Sequence, residues 1–164
     1  MSLSAPVPLA DHHELGEFSS GMSSLDGWLK KRARTNQAGG ASRTYVTCDG
    51  NRAIGYYAIA SGGVKVVEAP GRFRRNMPDP IPVAVLGRLA VDQAYHGRGI
   101  GRALVRDAGL RILQASEILG IRGMLVHAIS EDALAFYMAV GFEPSPIEPL
   151  TLMVTLADLR ASLG

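Results

Sequence analysis

A chain of 164 residues, 47% hydrophobic and 20% charged, is long enough to bury a full core as one domain, and it carries no internal repeat or low-complexity tract. Its single cysteine, Cys48, excludes an intramolecular disulfide and suits a reducing cytosol, where a small buried hydrophobe is its expected role. The formal charge is only +2, but it is unevenly placed, with Lys30, Lys31, Arg32 and Arg34 in one cluster and Arg72, Arg74 and Arg75 in another.

No apolar run approaches the ~18 residues of a membrane span, and the N-terminus lacks the basic start and apolar core of a signal peptide. A soluble, intracellular protein with no membrane partner is expected. His12 and His13 are adjacent, while His96 and His127 stand apart, so no Cys/His set has metal-ligand spacing and no metal is implied.

In chain order, residues 1–22 are weakly patterned. Ser23 followed by Asp26 reads as a capping box, and Leu25, Trp28 and Leu29 make a narrow apolar stripe, which predicts one helix of about three turns running to Gln37. Lys30, Lys31, Arg32 and Arg34 cover the rest of it, a pattern that a solvated face also explains. After a loop at 38–42, residues 43–48 and 52–60 read as strands of a hairpin turning at Asp49-Gly50, with Gly55 marking a bulge. Residues 64–68 read as a third short strand. The stretch 69–82, APGRFRRNMPDPIP, is too rich in proline for regular structure, and loops of that length are usually functional or mobile.

The centre of the chain is residues 83–113. An apolar run ends at Asp92, Gln93 and Ala94; glycines follow at 97, 99 and 101; then Ile100, Leu104, Ala108 and Ile112 recur with helical spacing. A glycine turn opening a helix leaves backbone N–H groups unpaired, admits a ligand close to the backbone and adds the positive end of the helix dipole. That is an anion site, most naturally for a pyrophosphate. A P-loop is excluded because no Lys-Ser/Thr pair follows Gly101, and a dinucleotide fingerprint is excluded because Leu104 stands at its third glycine.

Residues 122–129 read as another buried strand, and Ser130 caps a helix from Glu131 to Val140 that stops at Gly141. Residues 142–149 are again broken by prolines, and 150–156 form a final strand before a short terminal segment. The order implies an α/β (α+β) protein, a mixed central sheet with helices on its faces.

The run His96-Gly97-Arg98-Gly99-Ile100-Gly101 after Leu89-Ala90-Val91-Asp92 resembles the signature of the GNAT superfamily of acetyl-CoA-dependent N-acetyltransferases. That signature has Gln or Arg, two residues, Gly, one residue, then Gly or Ala; His96 is the one departure. RNMPDPIPVAVLGRLAVD and AFYMAVGFEPSP extend the resemblance to the GNAT toxins of type II toxin–antitoxin modules, over nearly the full length from Leu15.

The resemblance implies a GNAT fold over residues 1–164, with a mostly antiparallel sheet, and acetyl-CoA as cosubstrate. It implies N-acetylation of the amino acid on aminoacyl-tRNA in the cytoplasm, with arrest of translation. It also implies neutralisation by a ribbon-helix-helix antitoxin, DNA contact only through that complex, and a homodimer. By the same resemblance Leu89, Ala90 and Val91 line the pantetheine arm, and His96, Gly97, Arg98, Gly99, Ile100, Gly101 and Arg102 hold the pyrophosphate. Tyr137 stands where these toxins carry the tyrosine that serves the departing thiolate. On spacing alone it is as readily a core aromatic near a helix end.

No general base stands out; Asp92, Glu131 and Asp132 could act through a water, but their positions suit caps. An α-amine titrates at about 8, and lower in an aminoacyl ester, whereas a lysine titrates at about 10.4, so the missing base favours an α-amine acceptor. For a phosphate-rich acceptor stem the candidates are Lys30, Lys31, Arg34, Arg72, Arg74 and Arg75, with Arg88 and Arg98 behind them. Two other readings stay open: an acetyltransferase of a small-molecule or protein amine, and a non-catalytic partner in a DNA-binding toxin–antitoxin repressor.

Overall fold

The sheet begins where the sequence shows least pattern. In the computed structural model, which describes residues 3–163, Val7–Pro8 (β1) pairs antiparallel with Arg43–Asp49 (β2), Val7 opposite Val46. A two-residue strand has no alternation to read, and its proline suits an edge. β2 turns through Gly50, at φ 65°, and Asn51 into Arg52–Val64 (β3), as the hairpin signal predicts. Thr47 faces Gly55 but Cys48 faces Ala53, so the bulge lies beside Gly55, with Ile54 as the extra residue. Cys48 is buried, and burial pushes its thiol up from its ordinary value, in keeping with a packing role.

The single helix expected over 23–37 is two: Ser23–Lys31 (α1) and Ala33–Ala38 (α2), parted where Arg32 leaves helical geometry at φ −120°. The break turns Ala33 fully inward, and the Gln37 amide bridges Leu9 and Thr44, donating to one carbonyl and accepting from the other's N–H. The capping box is not formed. Met22 takes the cap position without a side-chain bond, and Asp26 instead accepts from the Ser20 N–H at 3.0 Å and the Ser20 hydroxyl at 2.6 Å.

The strand expected at 64–68 is also absent. β3 runs on to Val64, and Val66–Glu68 is a 3-10 turn. Ser61-Gly62-Gly63 looks like a break in sequence but is strand, because a Cβ at Gly62 would lie 2.8 Å from Val85 Cγ2. Within the proline-rich stretch Gly71–Arg74 (α3) forms one helical turn that buries Phe73, regular structure where none was expected.

Ile81–Val91 (β4) leads through a 3-10 turn at Gln93–Tyr95 to Ile100–Ala115 (α4). Gly123–His127 (β5), Glu131–Ala139 (α5), Glu143–Pro144 (β6) and Thr151–Thr155 (β7) follow, and Leu156–Leu163 (α6) is a helix where only a terminal segment was foreseen. Ser130 caps α5 as predicted, accepting from the Ala133 N–H at 3.1 Å, and Gly141 closes it at φ 108°. The strand order is β1-β2-β3-β4-β5-β7-β6. β4 and β5 pair in parallel, and β1–β2, β2–β3, β5–β7 and β6–β7 are antiparallel.

The chain resolves into two compact units, Met1–Ala60 with Gly87–Ala108 and Ser61–Leu86 with Gly109–Gly164. In the first, Leu25 and Leu29 of α1 pack with Val46, Tyr56 and Ala90 on one face of the strands. On the other face α4 lies close, for a Cβ at Gly55 would stand 3.3 Å from Leu104. In the second, Phe73, Ile81, Val83, Leu125 and Met153 share a core.

Gly123 is the tightest point of that second core: a Cβ there would overlap the Val154 carbonyl oxygen and stand 2.9 Å from the Phe73 ring. Gly123→Ala is therefore expected to lower unfolding stability by about 2–3 kcal/mol, read as a fall in the urea midpoint at unchanged slope.

Candidate functional site

In the first unit β4 delivers the chain to a locked junction. Asp92, only 3% exposed, accepts from the Ser19 N–H at 3.1 Å and the Ala94 N–H at 3.0 Å, and pairs with Arg52 at 3.4 Å. Its carboxylate is a cap, not a free base. His96 Nε2 donates to the Val91 carbonyl at 2.6 Å, so the side chain that departs from the usual Gln or Arg folds back on its own strand.

Gly97 and Gly99 both sit at φ 77°, a left-handed geometry that glycine adopts at least cost. A Cβ at either would meet nothing within 4 Å, so the constraint is conformational and the space beside the loop is open. The first helical bond of α4 runs from the Ala103 N–H to the Gly99 carbonyl at 3.1 Å. The N–H groups of Ile100, Gly101 and Arg102 therefore precede the ladder, at the positive end of a 16-residue helix. Leu89, Ala90 and Val91 lie just upstream on β4, with Ala90 turned into the core. The Arg98 guanidinium sits 5.2 Å from the Tyr95 ring centre, and Tyr95 donates to Asp49 at 2.7 Å. An anion such as a pyrophosphate suits this open glycine cradle.

The cations of the first unit divide. Lys30 and Lys31 are exposed on the last turn of α1. Arg34, on α2, is tied down: its Nη2 donates to the carbonyls of His13 at 2.7 Å and Ala10 at 3.2 Å, clamping the loop before α1. Arg88, half-buried on β4, lies over Trp28 with Cζ 5.0 Å from the ring centre, a pairing with no local signal in the sequence.

In the second unit Tyr137 is buried on α5, edge-on to Phe136 at 5.1 Å and to Phe142 at 5.6 Å. Burial pushes its phenol up to about 12, and its hydroxyl makes no hydrogen bond among the described residues. Glu131 and Asp132 are exposed in the first turn of the same helix, where they complement its dipole. Arg72 is engaged with Asp158 through two bonds of 2.7 Å and holds that carboxyl below its usual range. The adjacent cavity of about 80 Å³, lined in part by Arg72, Met153 and Asp158, falls well short of a small-molecule site. Arg74 and Arg75 are exposed and make no ion pair among the described residues. Among the described residues no group of three His, Cys, Asp or Glu gathers to hold a metal, and no helix is long and apolar enough to cross a membrane.

Comparison with known proteins adds four findings. The acetyltransferase (GNAT) domain family matches residues 40–144. A tRNA-acetylating toxin of Mycobacterium tuberculosis is 51% identical over 161 residues, covering 98% of this chain and 97% of that protein. Among solved structures, AtaT complexed with acetyl-methionyl-tRNAfMet superposes with a TM-score of 0.91 at 26% identity, covering 99% of this chain and all of that one. A mutant AtaT toxin bound to the C-terminus of the antitoxin AtaR and acetyl-CoA superposes at 0.84, also at 26% identity, covering 98% of this chain and 97% of that one.

The burial of Tyr137 makes its titration a direct test of the site. A tyrosine ionises at about 10 when unfolded and here only near 12. The phenol is therefore neutral through the whole working range, and the burial contribution to stability is intact below pH about 10 and lost as pH rises towards 12. Tyr137→Phe is expected to remove one late-ionising tyrosine from an absorbance titration; loss of one that ionises near pH 10 would show the ring to be solvated.

Proposed function

The chain belongs to the GNAT acetyltransferase family, and on that footing we propose that it is a toxin. It transfers the acetyl group of acetyl-CoA to the α-amine of the amino acid on aminoacyl-tRNA and so blocks translation. The observation that carries this reading is the 51% identity, over 98% of the chain, to a tRNA-acetylating toxin. The open glycine cradle at the start of α4 is the chemistry it requires.

Acetyl-CoA supplies the activated thioester; the chain's own groups position it and manage charge. The N–H groups of Gly97 to Arg102 receive the pyrophosphate, and the Leu89–Val91 backbone lines the pantetheine arm and directs an N–H at the acetyl carbonyl, where negative charge develops. His96 serves the same site by fixing the end of β4 through the Val91 carbonyl. As the amine attacks, the N–C bond forms and the C–S bond breaks; CoA leaves as a thiolate that needs a hydrogen bond, and the proton lost from the nitrogen passes through solvent to that sulfur. Tyr137 provides that hydrogen bond. Held near 12, its phenol is a weaker acid than a thiol of about 8.5, so it acts as a preorganised donor to the thiolate and not as a bulk proton source.

The attacking amine makes little demand on an enzymic base, since an α-amine titrates at about 8 and lower in an aminoacyl ester, so that much of it is already neutral at pH 7. The acceptor stem's phosphates are met by Lys30, Lys31, Arg74 and Arg75, which are exposed and make no ion pair among the described residues, while Arg34 and Arg72 contribute through the elements they tie down. The chain works as a single acetyltransferase domain over residues 1–164, a reading supported by the family match over residues 40–144. Its partners are the aminoacyl-tRNA and a ribbon-helix-helix antitoxin, through which any DNA contact is made. It acts in the cytoplasm, where charged tRNA is found, and as a homodimer, for which exposed apolar side chains such as Ile118, Leu119 and Ile147 are the support.

Purified protein with radiolabelled acetyl-CoA is expected to label total charged tRNA and to leave the same tRNA unlabelled after deacylation. Label on neither, with acetyl-CoA binding intact, would favour a small-molecule amine as acceptor or the non-catalytic repressor reading. In the same assay Tyr137→Phe is expected to lower kcat by about a hundredfold with little change in KM for acetyl-CoA, as loss of a donor felt only in the transition state requires. A wild-type rate in that variant would remove Tyr137 from the chemistry.

A further inference from the structure

On the α1 face of β4 a guanidinium stands without an anion. Arg88 lies two residues before Ala90, which packs with Leu25 and Leu29 of α1, and strand alternation sends both side chains to that face. Arg88 Cζ is 5.0 Å from the centre of the Trp28 ring, and Trp28 stacks on Tyr56 with planes 9° apart. The stack is held from beneath, since the Tyr56 hydroxyl donates to the Leu25 carbonyl at 2.7 Å and Phe18 meets the Tyr56 ring edge-on. Arg88 Nε is buried with no hydrogen-bond acceptor, and the side chain makes no ion pair among the described residues.

This arrangement is built for an acceptor that a ligand brings. A buried, unpaired N–H on a charged group is costly unless filled, and the aromatic stack orders a side chain that would otherwise have many rotamers. In the proposed binding mode the cofactor lies away from that acceptor position. α4, whose start forms the glycine cradle, packs on the opposite face of the same strands: Gly55 and Tyr57 meet Leu104 and Asp107 there, while Tyr56 between them points to α1. The missing partner therefore arrives with the other substrate, and for a planar fork of donors it is a phosphate.

We propose that Arg88, oriented by Trp28, binds a backbone phosphate in the single-stranded 3′ end of the aminoacyl-tRNA, beside the strand that carries Leu89 and Val91. The proposal rests on the aminoacyl-tRNA reading above. It makes Arg88 a substrate-binding residue and Trp28 a positioning one.

The test compares full-length wild type, Arg88→Gln and Arg88→Lys in acetylation of charged tRNA across a salt series. Arg88→Gln should raise KM for charged tRNA about tenfold or more, leave KM for acetyl-CoA within about twofold, and reduce the salt slope by about 0.7, the value for one single-strand phosphate. Arg88→Lys should restore the slope while recovering only part of the affinity, because an ammonium cannot bind bidentately. Unchanged KM for tRNA with an unchanged salt slope would overturn the proposal, as would an equal rise in both KM values, which would mark a structural role. If wild type labels no charged tRNA at all, the broader reading fails first and takes this one with it.

Discussion

The buried carboxylate of Asp92 is the contact on which the candidate cofactor site depends. It ends the central strand, and its two oxygens gather the Ser19 N–H from the N-terminal segment, the Ala94 N–H of the turn and the Arg52 guanidinium from β3. Bonds to an ionised acceptor contribute about 1.5–3 kcal/mol each, and a buried charge deprived of one partner destabilises strongly, so the group acts as a unit. Its consequence is positional. With the strand end fixed, and His96 drawn back onto Val91, the backbone has one short route into α4, and Gly97 and Gly99 at φ 77° make that route sterically cheap. The N–H groups before the α4 ladder are aimed by this scaffold and not by their own side chains.

The same strands present two different chemistries on their two faces. Successive tyrosines show it: Tyr56 is sealed under α1, with its hydroxyl held by Leu25, whereas Tyr57 reaches Asp107 of α4. The α4 face leads to a cradle of backbone dipoles, suited to a pyrophosphate in any sequence context. The α1 face leads to side chains, with Arg88 over Trp28 and the lysines on the last turn of the same helix. A two-substrate transfer needs such a separation, because two polyanions that shared one basic patch would compete for it.

What could be read from the chain was what is local. The glycine loop, the Ser130 cap, the hairpin at Gly50 and the α4 periodicity each rest on residues within one or two turns, and each is found as expected. The misreadings are tertiary. Gly62 and Gly63 looked like a break because glycine usually punctuates, yet a close approach to Val85 and Pro80 explains them equally well in a continuous strand. Asp26 looked like half of a capping box with Ser23 but bonds Ser20, outside the helix. One helix became two because burying Ala33 and linking Gln37 to Leu9 and Thr44 outweighed propensity at Arg32. The geometry of the candidate site was legible to the same degree: the glycine turn and the helix start can be read from the sequence, the side chains around them only as a list of cations whose partners lie far away in sequence.

Charge counting alone would have treated those cations as equivalent, and the fold shows that they are not. Arg34 holds three loop carbonyls within reach and Arg72 faces Asp158 through a two-pronged bond, so neither guanidinium is free to meet a phosphate without first giving up a partner. Among the described residues Lys30, Lys31, Arg74 and Arg75 have no such engagement, and Arg88 has an unpaired buried donor as well. The proposed chemistry divides in a parallel way. Tyr137, its phenol pushed up to about 12 by burial, can give a hydrogen bond but is no base at neutral pH, and Asp92 is engaged by the Ser19 and Ala94 N–H groups and by Arg52. On the proposed chemistry, a phenol donor with no assigned base favours a nucleophile that arrives already deprotonated. An α-amine made less basic by its ester meets that condition and a free lysine does not.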